Sequence, residues 1–147
     1  MQISILKSRQ WRLIVVAKID LEGMQELIDK VNKLGLKGEV IKKKALDKAG
    51  DLIKNSMERK APRSNSSKKH MADNINISDI EKEDGVDFVK IGPNKGDNSE
   101  FYYSKFSEWG TSTQPAQHWA ENSLLENKRK INEVIGEELK RGLEEFD

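Results

Sequence analysis

The stretch Gly38–Lys60, GEVIKKKALDKAGDLIKNSMERK, decides the fold. Its apolar residues Ile41, Ala45, Leu46, Ala49, Leu52, Ile53 and Met57 recur at helical spacing, so at about 100° per residue they share one broad face. Lys43, Lys44, Asp47, Asp51, Lys54 and Glu58 take the other face, where Lys54 and Glu58, four apart, and Asp51 and Lys54, three apart, are spaced to pair. Pro62 lies just beyond the end, since proline cannot continue a helix. The spacing therefore predicts a long helix, packed on one side and wet on the other.

Upstream the period is different. Trp11, Leu13, Val15, Ala17, Ile19 and Leu21 alternate with Arg12, Ile14, Val16, Lys18 and Asp20, the period-two pattern of a strand, which Gly23 ends. Residues 1–10 have no clear period beyond Ile3 and Ile5, so 1–18 reads as an N-terminal extension or an extra strand. Met24, Leu27, Ile28, Val31 and Leu34 then return to helical spacing, with Gly35 where a C-terminal glycine belongs.

Downstream, residues 61–72 are Ser-rich and aperiodic, which reads as a mobile basic loop. Asn74–Ile80 and Val86–Ile91 alternate as strands, joined by a turn containing Asp84-Gly85, a hairpin signal. Gly92–Asn98 reads as a polar turn and Glu100–Trp109 as a short helix or irregular turn. From Gln117 to Glu145 runs a long helix, with Ala120, Leu124, Leu125, Ile131, Val134, Ile135, Leu139, Leu143 and Phe146 on its apolar side. At ~1.5 Å per residue it reaches about 40 Å, more than so small a domain covers easily, so part of that side calls for a neighbouring subunit. The order of elements implies a single α+β domain over 1–147, a small antiparallel sheet packed against a long helix in the N-terminal half and a long C-terminal helix.

Composition narrows the function. The 147 residues carry 26 Lys+Arg against 25 Asp+Glu, a net charge of +1, with charged and hydrophobic residues each at 35%. That apolar share is below the roughly 45–50% of an ordinary domain, a figure that also counts Gly, so a thin core is expected, one completed against copies of the chain or compensated by long solvated helices. The absence of Cys excludes disulfides, Cys-ligated zinc and a thiol nucleophile. The longest apolar run, Leu13–Ala17, is too short for a membrane span or a secretory signal, so a soluble, unprocessed chain is expected.

Few residues suggest chemistry. No nucleophile elbow, phosphate-cradling loop or dinucleotide fingerprint is present, and Gly92-Pro93-Asn94-Lys95-Gly96 reads as an ordinary turn. His70 and His118 lack metal-ligand spacing to any partner. An enzyme is not supported, and no cofactor or metal is implied. Charge is distributed unevenly instead. Arg59, Lys60, Arg63, Lys68 and Lys69 form a basic segment within 59–70, followed by Asp73, Asp79, Glu81, Glu83, Asp84 and Asp87. Three readings stay open: the basic segment faces nucleic-acid phosphates, pairs with its acidic neighbour, or docks on the acidic hairpin of another copy. Phe101, Tyr102, Tyr103, Phe106, Trp109 and Trp119 concentrate most of the aromatic residues, as core or as interface anchors.

Within that aromatic segment, Phe101-Tyr102-Tyr103-Ser104-Lys105-Phe106-Ser107-Glu108-Trp109-Gly110-Thr111 followed by Pro115-Ala116-Gln117-His118-Trp119 resembles the signature of a family of tailed-phage head-tail joining and tail-completion proteins. There, two aromatics precede a Glu-aromatic-Gly-Thr core and a Pro-Ala-Gln-Pro-Phe type segment opens the last helix; His118 stands here at the second proline. Ala61-Pro62 and then His70-Met71-Ala72-Asp73-Asn74-Ile75 are similar to the family's entry into its strand, and Ile19–Leu27 to its usual opening. The resemblance implies a non-enzymatic virion protein at the neck of a long-tailed phage or prophage, made in the host cytoplasm and assembling as a ring between head connector and tail tube. It implies copies of itself, connector and tail-tube proteins as partners, and no membrane. Tyr102, Tyr103, Phe106, Glu108, Trp109, Gly110, Thr111 and Trp119 become the candidate interface. Arg59, Lys60, Arg63, Lys68 and Lys69 become candidates to line a channel that DNA crosses. The alternative is a small nucleic-acid-binding module using the segment 59–70.

Overall fold

A computed structural model describes residues 3–7, 13–17, 24–65, 69–93, 101 and 103–146. Strands β1 (Ile3–Lys7) and β2 (Leu13–Ala17) precede helices α1 (Gln25–Lys33) and α2 (Leu36–Lys60). A single 3₁₀ turn, Met71–Asn74, leads into β3 (Ile75–Ile77), β4 (Glu81–Glu83), β5 (Val86–Phe88) and β6 (Lys90–Pro93), followed by α3 (Ser104–Trp109) and α4 (Trp119–Phe146). The fold is α+β, with the long helices α2 and α4 packed together, as the sequence pattern predicts.

The residues predicted to face inward on α2 do so. Ile41, Ala45, Leu46, Ala49, Ile53 and Met57 are buried, and Leu52 is packed against them. On the wet face Lys54 and Glu58 make the expected pair at 3.9 Å. The helix starts at Leu36, two residues before Gly38, because the chain turns at Leu34 and Gly35 alone. Gly35 makes that turn at φ 57°, ψ −123°, a backbone that side chains disfavour. Gly38 then lets α1 close on α2, since a Cβ there would lie 2.0 Å from the Val31 carbonyl oxygen.

Helix α4 runs antiparallel to α2, as the cross-links show: Lys60 pairs with Glu126, Lys48 with Glu138, and Ile41 fills the space above Gly142. Ala120, Leu124, Ile131, Ile135 and Leu139 are buried against it. A helix of comparable length thus already covers most of the apolar side of α4, and the part that calls for a neighbouring subunit narrows to a single large exposed residue among those described. Leu125 is the exception: it projects to solvent, being 100° round the helix from Leu124.

The sheet has the order β1-β2-β6-β3, all neighbours antiparallel. The described part of the N-terminal region is a hairpin in which Ile3 faces Ala17, and Val15 faces Ile91 of β6. Residues 11, 12 and 18–21, also read as strand, lie outside the described residues. Of the two strands expected, Asn74–Ile80 shortens to β3, Val86–Ile91 breaks into β5 and β6, and β4 falls at Glu81–Glu83, in the stretch read as the connecting turn. Ile77 faces Ile91 and Ser78 N–H donates to the Lys90 carbonyl, while further out Glu81 faces Phe88. Asp79 and Ile80 therefore oppose Val89 alone, a bulge that sets β4–β5 off as a separate two-stranded ribbon. Asp84 (φ 51°) and Gly85 (φ 76°) close it in a type I′ turn. The ends of the basic loop are fixed in the core by buried Ala61, Met71 and Ala72.

Candidate functional site

The segment that carries the family-like signature is a corner between α3 and α4. Helix α4 begins at Trp119 after His118, whose φ of 48° sets the chain at an abrupt angle. A helix start leaves backbone N–H groups without partners and concentrates positive partial charge, and a side-chain acceptor at the cap normally meets both needs. Here the acceptor comes from α3. Glu108, with 0% exposure, accepts the Ala120 N–H at Oε2 (2.8 Å) and the Glu121 N–H at Oε1 (3.0 Å). Its own carbonyl accepts the His118 N–H at 3.0 Å, and the Ser107 carbonyl accepts Gln117 N–H at 2.9 Å.

Around this cap the other signature residues lock the corner. Trp119 is 1% exposed, and its indole Nε1–H donates to Ser107 Oγ at 3.0 Å, which donates in turn to the Ser104 carbonyl at 2.8 Å. Gly110 adopts φ 76°, ψ 175°, a region almost confined to glycine, and a Cβ there would stand 2.7 Å from Ala116 N and 2.8 Å from the Gln114 carbonyl oxygen. Thr111 closes the next turn: its N–H donates to the Gln114 carbonyl at 2.8 Å and its Oγ1 accepts Gln114 N–H at 3.1 Å. The Glu-Trp-Gly-Thr sequence is thus a structural unit that starts α4.

Glu108, His118 and Glu121 bring ligand-type atoms within 4.8 Å of one another, a spacing a metal ion could bridge. Their present partners explain the proximity. Both Glu108 oxygens are occupied by helix amides, and His118 Nδ1 lies 2.9 Å from Glu121 Oε2. A cation there would also face the positive end of α4, which opposes its binding.

The candidate interface residues divide by location. Glu108 and Trp119 are enclosed within the protomer, so their work is internal, whereas Tyr103, Phe106 and Thr111 lie at the surface and Trp109 and Gly110 are half-buried. Tyr102 lies outside the described residues. In the basic segment, Arg63 grips Asp73 with two hydrogen bonds of 2.9 and 2.7 Å, and Lys60 pairs with Glu126. The hydrogen bond from Arg63 lowers the Asp73 carboxyl below its ordinary range, and Arg63 is raised in return. Arg59 and Lys69 are exposed, and Lys68 lies outside the described residues. Pairing with the acidic neighbour is thus made by Arg63, whereas Lys60 turns to Glu126 on α4 instead. His70 stays a backbone participant, its carbonyl accepting from Asn74 Nδ2 at 2.8 Å. Sequence reasoning missed Ser107 as the partner of Trp119, for which no sequence pattern gives a sign.

The corner and the long helical pair define a small α+β domain in which the signature residues carry architecture. Residues 25–110, from the first residue of α1 to Gly110, match the family model HK97-gp10-like, described as "Bacteriophage HK97-gp10, putative tail-component". The match spans more than half of the chain, and the chain belongs to this phage tail-component family. No curated protein and no solved structure matches it. Among the described residues, no helix is long and apolar enough to cross a membrane.

Proposed function

We propose that the chain is a structural component of a phage or prophage virion that assembles as a ring at the head–tail junction, in tail completion or head–tail joining. The observation that carries this is the family match from α1 through the Glu108–Gly110 corner. The buried carboxylate that would otherwise invite a catalytic reading is occupied in holding a helix. The partners are copies of itself, the head connector and the tail tube, and the location is the neck of the virion. Purified protein mixed with tail tubes and viewed by negative-stain microscopy should give rings or capped tube ends. Protein that stays apart from both tubes and connectors under all assembly conditions overturns the reading.

The nucleic-acid alternative is the weaker one, because Lys60 and the exposed Arg63 already face carboxylates, which leaves Arg59 and Lys69 as the other exposed cations among the described members of the segment. A DNA-binding role predicts affinity for duplex DNA that falls steeply with salt and is lost in Arg59→Glu with Lys69→Glu.

A further inference from the structure

Large exposed apolar residues on a soluble domain are ordinarily scattered singly. Here they are sorted. Among the described residues five stand out: Leu36 (87% exposed), Val40 (50%), Tyr103 (40%), Phe106 (39%) and Leu125 (60%). The antiparallel pairing of α2 and α4 assigns each to an end of the molecule. Leu36 and Val40 lie in the first turns of α2, at the end where Ile41 meets Gly142. Leu125 lies at the opposite end, next to Glu126 and its partner Lys60. Tyr103 and Phe106 join Leu125 there, at the head of α3 whose Glu108 caps the start of α4. Along α2 the two groups are about 30 Å apart at ~1.5 Å per residue, too far to cover one another within a protomer.

The hairpin adds a direction. It runs antiparallel to α2, with Ile77 against Gly50 and Asp87 hydrogen-bonded to Lys42 at 2.8 Å, so its turn falls at the Leu36 end. Exposed Glu83 and Asp84 occupy that tip, whereas exposed Arg59 and Lys69 occupy the far end. The Leu36 end also carries exposed Lys33 and Lys43, so charge fixes the placement of the hairpin tip alone and the apolar residues supply the contact.

We propose that these two ends dock on each other between copies of this chain, Leu36 and Val40 with the hairpin tip of one copy against Tyr103, Phe106 and Leu125 with Arg59 and Lys69 of the next. This rests on the self-assembly reading above and specifies its geometry. Two different patches in contact make a head-to-tail interface, which closes into a ring or continues as a filament, whereas a two-fold contact stops at a dimer.

The chain has no cysteine, which makes the test direct. The full chain carrying both Val40→Cys and Leu125→Cys, treated with a flexible bismaleimide, should give a covalent ladder through trimer and beyond, and each single variant should stay uncross-linked. Covalent dimers from either single variant, or no ladder from the double, overturn the proposal. In a second arm, Leu36→Glu with Val40→Glu, and separately Phe106→Glu with Leu125→Glu, should raise the half-assembly concentration about tenfold or more in sedimentation velocity, with helical circular dichroism unchanged. Mixed in equal amounts, the two should form a heterodimer and nothing larger, because each retains one intact end. If the unaltered chain is monomeric at every concentration and with tail tubes, the ring reading falls and this contact with it. If the unaltered chain forms rings and both variants do so equally, the contact alone is wrong.

Discussion

Glu108 has no exposed surface, and a carboxylate so placed needs full compensation for the water it loses. Two helix amides and the positive end of α4 provide it. Hydrogen bonds to a charged group are worth about 1.5–3 kcal/mol each, so Glu108→Ala should destabilise the domain by about 3 kcal/mol or more in urea unfolding. Glu108→Gln, which keeps one acceptor but loses the charge, should cost about half as much. Both should speed hydrogen exchange at the Ala120 and Glu121 amides; unchanged exchange there would remove the capping role. The signature residues were legible as a motif, yet their role was not. Glu108 caps a helix that starts eleven positions later, after a turn whose shape depends on Gly110, and periodicity carries no record of such a contact. The weak hint was His118, a residue type that makes a poor helix cap and so leaves the task to another side chain.

Helices and hairpins were read well where side-chain pattern alone dictates them. The apolar stripe of α2 and the Asp84-Gly85 turn follow from local chemistry, so both appear where the sequence placed them. The bulge at Asp79 and Ile80 was not legible, since it depends on how the ribbon leaves the sheet to reach Lys42 on α2. Burial opposes the charge on Lys42, but hydrogen bonds to Asp87 and Glu39 outweigh it and raise this lysine above its ordinary range. The basic loop is held at its base in a similar way, by Arg63 and Asp73. Because the folded-state carboxyl of Asp73 is lowered, its contribution is fully present above the ordinary aspartate value of about 3.9 and is lost as pH falls through the lowered one. Asp73→Asn should therefore lower the thermal midpoint slightly at neutral pH, and the gap from the unaltered chain should close as pH falls through the lowered value. The pair is solvent-exposed, so the gap should also shrink in high salt. A gap independent of pH would assign the effect to the Asp73 backbone turn instead.

At the scale of the whole molecule, the low apolar content is met by pairing two long helices along their length rather than by leaving α4 bare. The sheet is then the thinner layer, and its continuity depends on the N-terminal hairpin. Lys90 turns its carbonyl to Ser78 N–H (2.8 Å) and its N–H to Ser78 Oγ (2.9 Å), both on the β3 side. Successive residues of a strand direct their backbone groups to opposite sides, so Ile91 turns its own toward Val15, its partner on β2. Removing residues 1–17 should therefore strip the partner from the Ile91 amide while leaving Lys90 bonded. In amide exchange of the shortened chain, Ile91 should lose protection by an order of magnitude or more and Lys90 should keep most of its own. Because the uncovered β6 edge can accept a strand from another molecule, the shortened chain should also aggregate more readily. Equal protection of Ile91 in both chains would mean that β2 adds nothing to the sheet, and the domain would then be held by α1, α2, α4 and the β3–β6 pair alone.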